Sequence, residues 1–124
     1  MVVQFATRQI EPDITVMNFS GRLTLGNQLI DIEYAITDHI RQGGRKLVLE
    51  LSKVDFMDSA GVGALVLCSS TMKKTGGKMV LAGAAGKVKQ VLELASLDRI
   101  IEMHSDLSSA CEALSGTAPP PASV

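Results

Sequence analysis

Ser59 is the residue in this chain whose neighbours best suit it to chemistry. It stands in Phe56-Met57-Asp58-Ser59-Ala60-Gly61-Val62-Gly63, next to one carboxylate and ahead of two glycines. An apolar run of strand length, Lys46 to Leu51, precedes this stretch, and a longer run of helical length begins at Val62. That order reads as a strand, a short junction and a helix. Asp58 and Ser59 are both residue types that cap helix N-termini, because their side-chain oxygens accept the unpartnered backbone N–H groups there. Gly61 and Gly63 are expected to leave the first turn bare. The junction thus offers a hydroxyl beside a carboxylate at the positive end of a helix dipole.

Several uses of that hydroxyl compete. A catalytic nucleophile needs a base, but no Gly-x-Ser-x-Gly elbow surrounds Ser59 and the two histidines are His39 and His104. Both read as packed or surface histidines, so no catalytic residue is assigned and the chain is not expected to be an enzyme. A nucleotide or anion site at the Ser59–Gly63 turn is a second use. Its support is thin, since Gly61-Val62-Gly63 lacks a third glycine and Gly83-Ala84-Ala85-Gly86-Lys87 lacks P-loop spacing. The plainest use is a helix cap alone. The last is regulatory phosphorylation, which would add about −1.5 to −2 charges beside Asp58. A helix N-terminus tolerates that anion, whereas a partner docking over it would desolvate the charge without a counter-ion. One serine can then be harmless to the fold and decisive for binding.

The elements that must hold this junction follow from length and pattern. At 124 residues, 46% hydrophobic, the chain suits one domain with a core that needs no metal or disulfide. Cys68 and Cys111 each fall in a helical apolar pattern and read as free, buried thiols; no metal site or cofactor is expected. A net charge of −1 and 3% aromatics leave little to attract or stack nucleic acid. No apolar run approaches the ~20 residues that span a bilayer, and Met1 to Gln4 do not resemble a leader. The expectation is a cytoplasmic protein with neither nucleic acid nor membrane as partner.

Val2–Ile10 and Ile14–Phe19 read as a hairpin around Glu11-Pro12-Asp13, ended by Ser20-Gly21. Arg22 to Asn27 then reads as a loop, with Thr24 or Asn27 capping a helix striped by Leu29, Ile32, Ile36 and Ile40. Gly43-Gly44 stops that helix, and Lys46–Leu51 forms a strand covered on both faces. Ala60–Thr75 is a second helix, apolar around most of its axis and stopped by Gly76-Gly77. Lys78–Ala82 is a strand, Val88, Val91, Leu92 and Ala95 stripe a third helix, and Ile100–Met103 is a short edge strand. Leu107, Ala110, Cys111 and Leu114 stripe a last helix capped by Ser105 or Asp106. The predicted fold is α/β, a mixed four- to five-stranded sheet with about four helices in the order ββαβαβαβα. The domain covers 1–114, followed by a disordered Pro-rich tail over 115–124.

The segment Leu47–Gly63, with Met72–Leu81 and Val88–Ile101, closely resembles the STAS domain of bacterial anti-sigma factor antagonists. The Asp58-Ser59-x-Gly61-x-Gly63 motif and the later Gly76-Gly77-Lys78 carry the likeness. The resemblance implies an α/β fold of the same element order and a partner switch at Ser59. The unphosphorylated antagonist binds an anti-sigma factor that is a GHKL-type serine kinase and so frees a sigma factor. Phosphorylation of Ser59 ends binding, and a PP2C-type phosphatase restores the serine. The implied partner surface comprises Asp58, Ser59, Ala60 and Gly61, with Arg22 and Thr24 from a loop expected to lie near Ser59. Two departures stand out. Ala60 replaces a Ser or Thr common in the family, and Gly21-Arg22-Leu23-Thr24 replaces a common Gly-Glu-Leu-Asp, losing both acids. A non-switching STAS scaffold and a small-ligand module remain as alternatives.

Overall fold

Leu47, Val48, Leu49 and Leu51, and Met79 through Ala82, are almost wholly shut off from solvent. Strands with no polar side must lie between two layers. The computed structural model has that arrangement and describes residues 4–10, 13–24 and 27–116. Its strands are β1 (Gln4–Ile10), β2 (Ile14–Leu23), β3 (Lys46–Met57), β4 (Lys78–Ala82) and β5 (Met103–His104). Its helices are α1 (Asn27–Arg41), α2 (Ser59–Lys74), α3 (Gly86–Leu94) and α4 (Leu107–Gly116). The sheet order is β1-β2-β3-β4-β5, with β1 antiparallel to β2 and every other pair parallel. The result is a single α/β domain with a mixed sheet of five strands, in the expected order.

Three crossovers, β2-α1-β3, β3-α2-β4 and β4-α3-β5, all step the same way across the sheet. A common hand of crossover therefore puts α1, α2 and α3 on one face. That face buries Met17, Phe19, Leu47, Leu49, Leu51, Met79 and Leu81 against Ile32, Ile36, Leu65, Cys68, Met72, Val88 and Leu92. The alternate residues Ile14, Val16, Val48, Val80 and Ala82 face the other way, against Ala110 and Leu114 of α4. Both glycine pairs stop their helices by the same means. Gly43 and Gly76 take φ of 92° and 83°, and the next amides donate to His39 O and Met72 O, each at 2.9 Å.

Several boundaries differ from the pattern reading. Ser20-Gly21 does not end β2, which continues through Arg22 and Leu23. β3 does not stop at Leu51 but runs six residues farther, to Met57. The edge strand expected at Ile100–Met103 is only Met103–His104, because Leu97–Arg99 turns as a 3-10 segment and Ile100 follows in the turn. α2 is not covered all round: Gly61, Ala64, Leu65, Cys68, Ser69 and Met72 are buried, while Leu67 is 54% exposed. Ala95 is exposed rather than part of the α3 stripe. Asp106 caps α4, its Oδ1 accepting from Ser109 N at 2.8 Å. α4 itself takes in Ser115 and Gly116. Val2, Val3, Glu11, Pro12 and the tail over 117–124 lie outside the described residues.

Candidate functional site

The extra length of β3 decides where Ser59 sits. β4 accompanies β3 only as far as Glu50, opposite Ala82; beyond that point β3 keeps β2 as its neighbour. The register between them shifts twice, between the Asn18–Glu50 and Ser20–Lys53 pairs and again between Gly21–Val54 and Arg22–Phe56. Each shift gives β3 one extra residue, the signature of a bulge. As a result Leu51, Val54 and Met57 are all buried, while Ser52, Lys53, Asp55 and Phe56 are exposed. This two-stranded arm carries the start of α2 past the end of β4.

At its tip, backbone contacts lock the junction. Asp58 N donates to Leu23 O at 3.2 Å, and Asp58 O accepts from Val62 N at 3.1 Å. Asp58, in extended conformation, caps α2 with its carboxylate, Oδ1 accepting from Gly61 N at 3.0 Å. The cap is therefore Asp58 rather than Ser59. Ser59 is the first residue of the helix and is exposed; Ala60 is half-buried against the core.

The two glycines of the motif have different reasons to be there. Gly61 is buried, and a Cβ on it would run into the Leu23 carbonyl oxygen and come within 2.9 Å of Met57 Cγ. Its lack of a side chain lets α2 begin directly against the end of β2. Gly63 faces open space, so only Gly63 leaves the surface bare.

The Gly21–Thr24 segment is strand rather than loop as far as Leu23, yet it reaches the junction as expected. Arg22 lies opposite Phe56, and its guanidinium carbon sits 4.5 Å from the ring centroid. Leu23 lies opposite Met57, and half-buried Thr24 follows it. Leu23 is the residue of this segment that touches the junction, through its carbonyl oxygen against Asp58 N and Gly61, with Arg22 and Thr24 on either side of it in the chain. The Arg22–Phe56 stack was not legible in the sequence, because parallel register across a crossover leaves no local signal.

The histidines sit elsewhere. The His39 ring lies where a Cβ on Gly44 would be, and its Nδ1 is buried without a hydrogen-bond partner. Burial, aided by the Arg45 charge, holds its pKa below the usual 6.5. His104 Nε2 contacts Glu102 Oε2 at 2.6 Å, and Lys78 Nζ pairs with Glu102 Oε1 at 2.8 Å. Hydrogen bonds from Lys78 and then His104 hold the Glu102 carboxyl below its ordinary range. Cys68 and Cys111 are free, and burial pushes the Cys68 thiol up to about 12, so it is no nucleophile. Among the described residues no group of three or more His, Cys, Asp and Glu could hold a metal ion. A cavity of about 450 Å³ opens at the β4–α3 loop, where Gly83, Gly86, Lys89 and His104 line it. It is not at the Ser59–Gly63 turn.

Residues 6–110 match the family model for the STAS domain. The chain belongs to the STAS domain family. A Thermotoga neapolitana protein named as a candidate anti-sigma factor antagonist is 26% identical over 108 residues, 87% of this STAS domain chain and 96% of the relative. The crystal structure of a candidate anti-sigma factor antagonist from Thermotoga maritima superposes with a TM-score of 0.82 at 27% identity. That match covers 90% of this chain and 94% of the other. The Bacillus anti-sigma factor antagonist SpoIIAA shares the fold in its unphosphorylated form, with a TM-score of 0.70 and 19% identity over 94% of this chain and all of SpoIIAA. Its phosphorylated form gives the same TM-score at 20% identity, covering 89% and 98%. Among the described residues, no helix of this STAS domain is long and apolar enough to cross a membrane.

Proposed function

We propose that this STAS domain is an anti-sigma factor antagonist switched at Ser59. In the unphosphorylated state it binds an anti-sigma factor that is a GHKL-type serine kinase, and the sigma factor is freed. Phosphorylation of Ser59 breaks that complex, and a PP2C-type phosphatase restores it. The domain is the substrate of both enzymes in this cytoplasmic scheme and turns nothing over itself.

The observation that carries this reading is the division of labour at the junction. Asp58 makes the helix cap, so the exposed Ser59 hydroxyl is not needed to hold α2 in place. A phosphate there would meet the first-turn amides and the positive end of α2, which favour an anion by about 0.3–1 kcal/mol. The carboxylate of Asp58 opposes it at short range. The fold can therefore carry the modification, while a partner covering Ser59 would have to bury its charge.

Immobilised Ser59→Ala and Ser59→Asp proteins, incubated with lysate of the native host, test this directly. A serine kinase held by the alanine form and lost by the aspartate form is the expected result. Identical captures by both forms would overturn the switch and leave Ser59 a bystander to the cap. Both variants are expected to melt cooperatively, since Ser59 is exposed.

A further inference from the structure

Ile30, Tyr34 and Leu67 are large apolar side chains left more than half exposed, and the fold gathers them on one side of Ser59. α1 and α2 pack against each other. Each follows one strand of a parallel pair, so the two helices run the same way, and the pairing of Leu23 with Met57 puts their first turns at the same end of the sheet. Glu33 and Cys68 mark the seam between them, since the Glu33 charge is felt at the buried Cys68 thiol. On α1, Ile32 and Tyr34 lie about 100° to either side of Glu33; Ile32 is buried against the sheet and Tyr34 turns outward. On α2, Ser69 and Leu67 flank Cys68 in the same way, Ser69 buried and Leu67 outward. Tyr34 and Leu67 therefore stand on the two banks of one shallow groove. Ile30 lies one turn before Tyr34, Gly63 one turn before Leu67, and Ser59 one turn before Gly63. From Ser59 to Leu67 is about 12 Å along the helix.

Resting on the switch proposed at Ser59, we infer that the anti-sigma factor kinase seats itself in this groove, with Ile30, Tyr34 and Leu67 as its apolar footing. A specific complex covers about 800 Å² of each partner. An exposed serine and a bare glycine offer far less, so a partner that covers Ser59 must also cover surface beside it. The groove is the apolar side of that surroundings. The arm exposes Ser52, Lys53 and Asp55, and Phe56 already has Arg22 against its ring. Gly63, with open space where a side chain would be, joins Ser59 to the groove without a step. One turn beyond Tyr34, exposed Asp38 pairs with Arg41 and begins a polar rim, and an apolar centre within such a rim is the usual make-up of an interface. The basic residues of the two helices, His39 and Arg41 of α1 and Lys73 and Lys74 of α2, all belong to the last turns. The end of the groove at Ser59 thus has no cation from either helix. A partner seated there would bury the phosphate with neither helix to neutralise it, as the switch requires.

The test immobilises four forms of the full chain, all carrying Ser59→Ala: that change alone, and with Tyr34→Ala, Leu67→Ala or Leu94→Ala added. Leu94, exposed at the end of α3, is the control for losing an apolar side chain outside the groove. Each form is incubated with lysate of the native host, and the GHKL-type serine kinase retained is quantified by mass spectrometry. The expected result is about a tenfold or greater loss with Tyr34→Ala and with Leu67→Ala, and no change with Leu94→Ala. Equal retention by all four forms would overturn the inference and leave the switch at Ser59 standing. Retention of no serine kinase by any form would remove the proposed function and this inference with it. A second copy of this chain, or a protein held equally by Ser59→Asp, that is lost with Tyr34→Ala and Leu67→Ala would give the groove another occupant and also overturn it. Each changed side chain is exposed, so thermal melts of the four proteins should coincide and exclude misfolding as the cause.

Discussion

The two halves of β3 are held by different means. From Lys46 to Glu50 the strand lies between β2 and β4 with helices on both faces, and its apolar side chains are wholly buried. From Ser52 to Met57 it keeps β2 as its neighbour, carries two bulges, and exposes four of its six residues. The first half is stabilised by burial. The second is positioned by register, by the Leu23–Asp58 backbone bond and by the space that Gly61 leaves. A rigid body thus supports a thinner arm, and the arm carries the candidate site. Binding and modification need exposed groups, so a site cannot be held by the same dense packing as the core beneath it.

Breaking the first half should cost the most. Leu49→Ala removes a fully buried side chain from the core layer that the sheet shares with α1, α2 and α3. It should destabilise the domain by about 2–5 kcal/mol in urea unfolding. A loss below about 1 kcal/mol would mean that the core can collapse around the gap, and the contrast between the halves would weaken.

The arm is probed by two glycines of one helix. Gly61→Ala forces a methyl group toward the Leu23 carbonyl and should destabilise by about 1–3 kcal/mol. Gly63→Ala meets open space inside the same helix and should stabilise by up to about 1 kcal/mol through helix propensity. Opposite signs sharpen the picture of α2 pressed onto the end of β2. Equal effects would show that the first turn of α2 shifts freely.

The smallest effect lies away from both halves, at His39. Its folded pKa is lowered, so as pH falls the unfolded chain takes up the proton first. Stability should therefore be intact above about pH 6.5 and decline as pH drops through that value toward the folded pKa. Melts at about pH 7.5 and about pH 5.5 should show a smaller decline for His39→Gln than for the wild type. Matching declines would place the acid sensitivity in other groups.

Patterns confined to one element were legible in the chain. The alternation of Ile14 to Phe19, the apolar centres of β3 and β4, the stripe of Ile32 and Ile36 and the two Gly-Gly stops each rest on a period or a backbone requirement that neighbouring residues express. The Asp58-Ser59 junction was legible for the same reason, since a cap is a local event. What misled was Leu51, Val54 and Met57. They recur every third residue, a spacing that fits no regular strand, whereas the continuous apolar run by itself reads as a strand ending at Leu51. Only pairing with β2, which absorbs one extra residue at each of two places, turns all three inward.

The sequence by itself determined the element order, the parallel crossovers and the serine at a helix start, because periodicity and capping act over a few residues. Tertiary structure alone decided that Asp58 and not Ser59 makes the cap, that Gly61 is a packing glycine while Gly63 is a surface one, and that Arg22 rests on Phe56. Each of these depends on how β2 meets β3. More than 30 residues separate Arg22 from Phe56 along the chain, and no local preference encodes a register that is set only when the two strands pair.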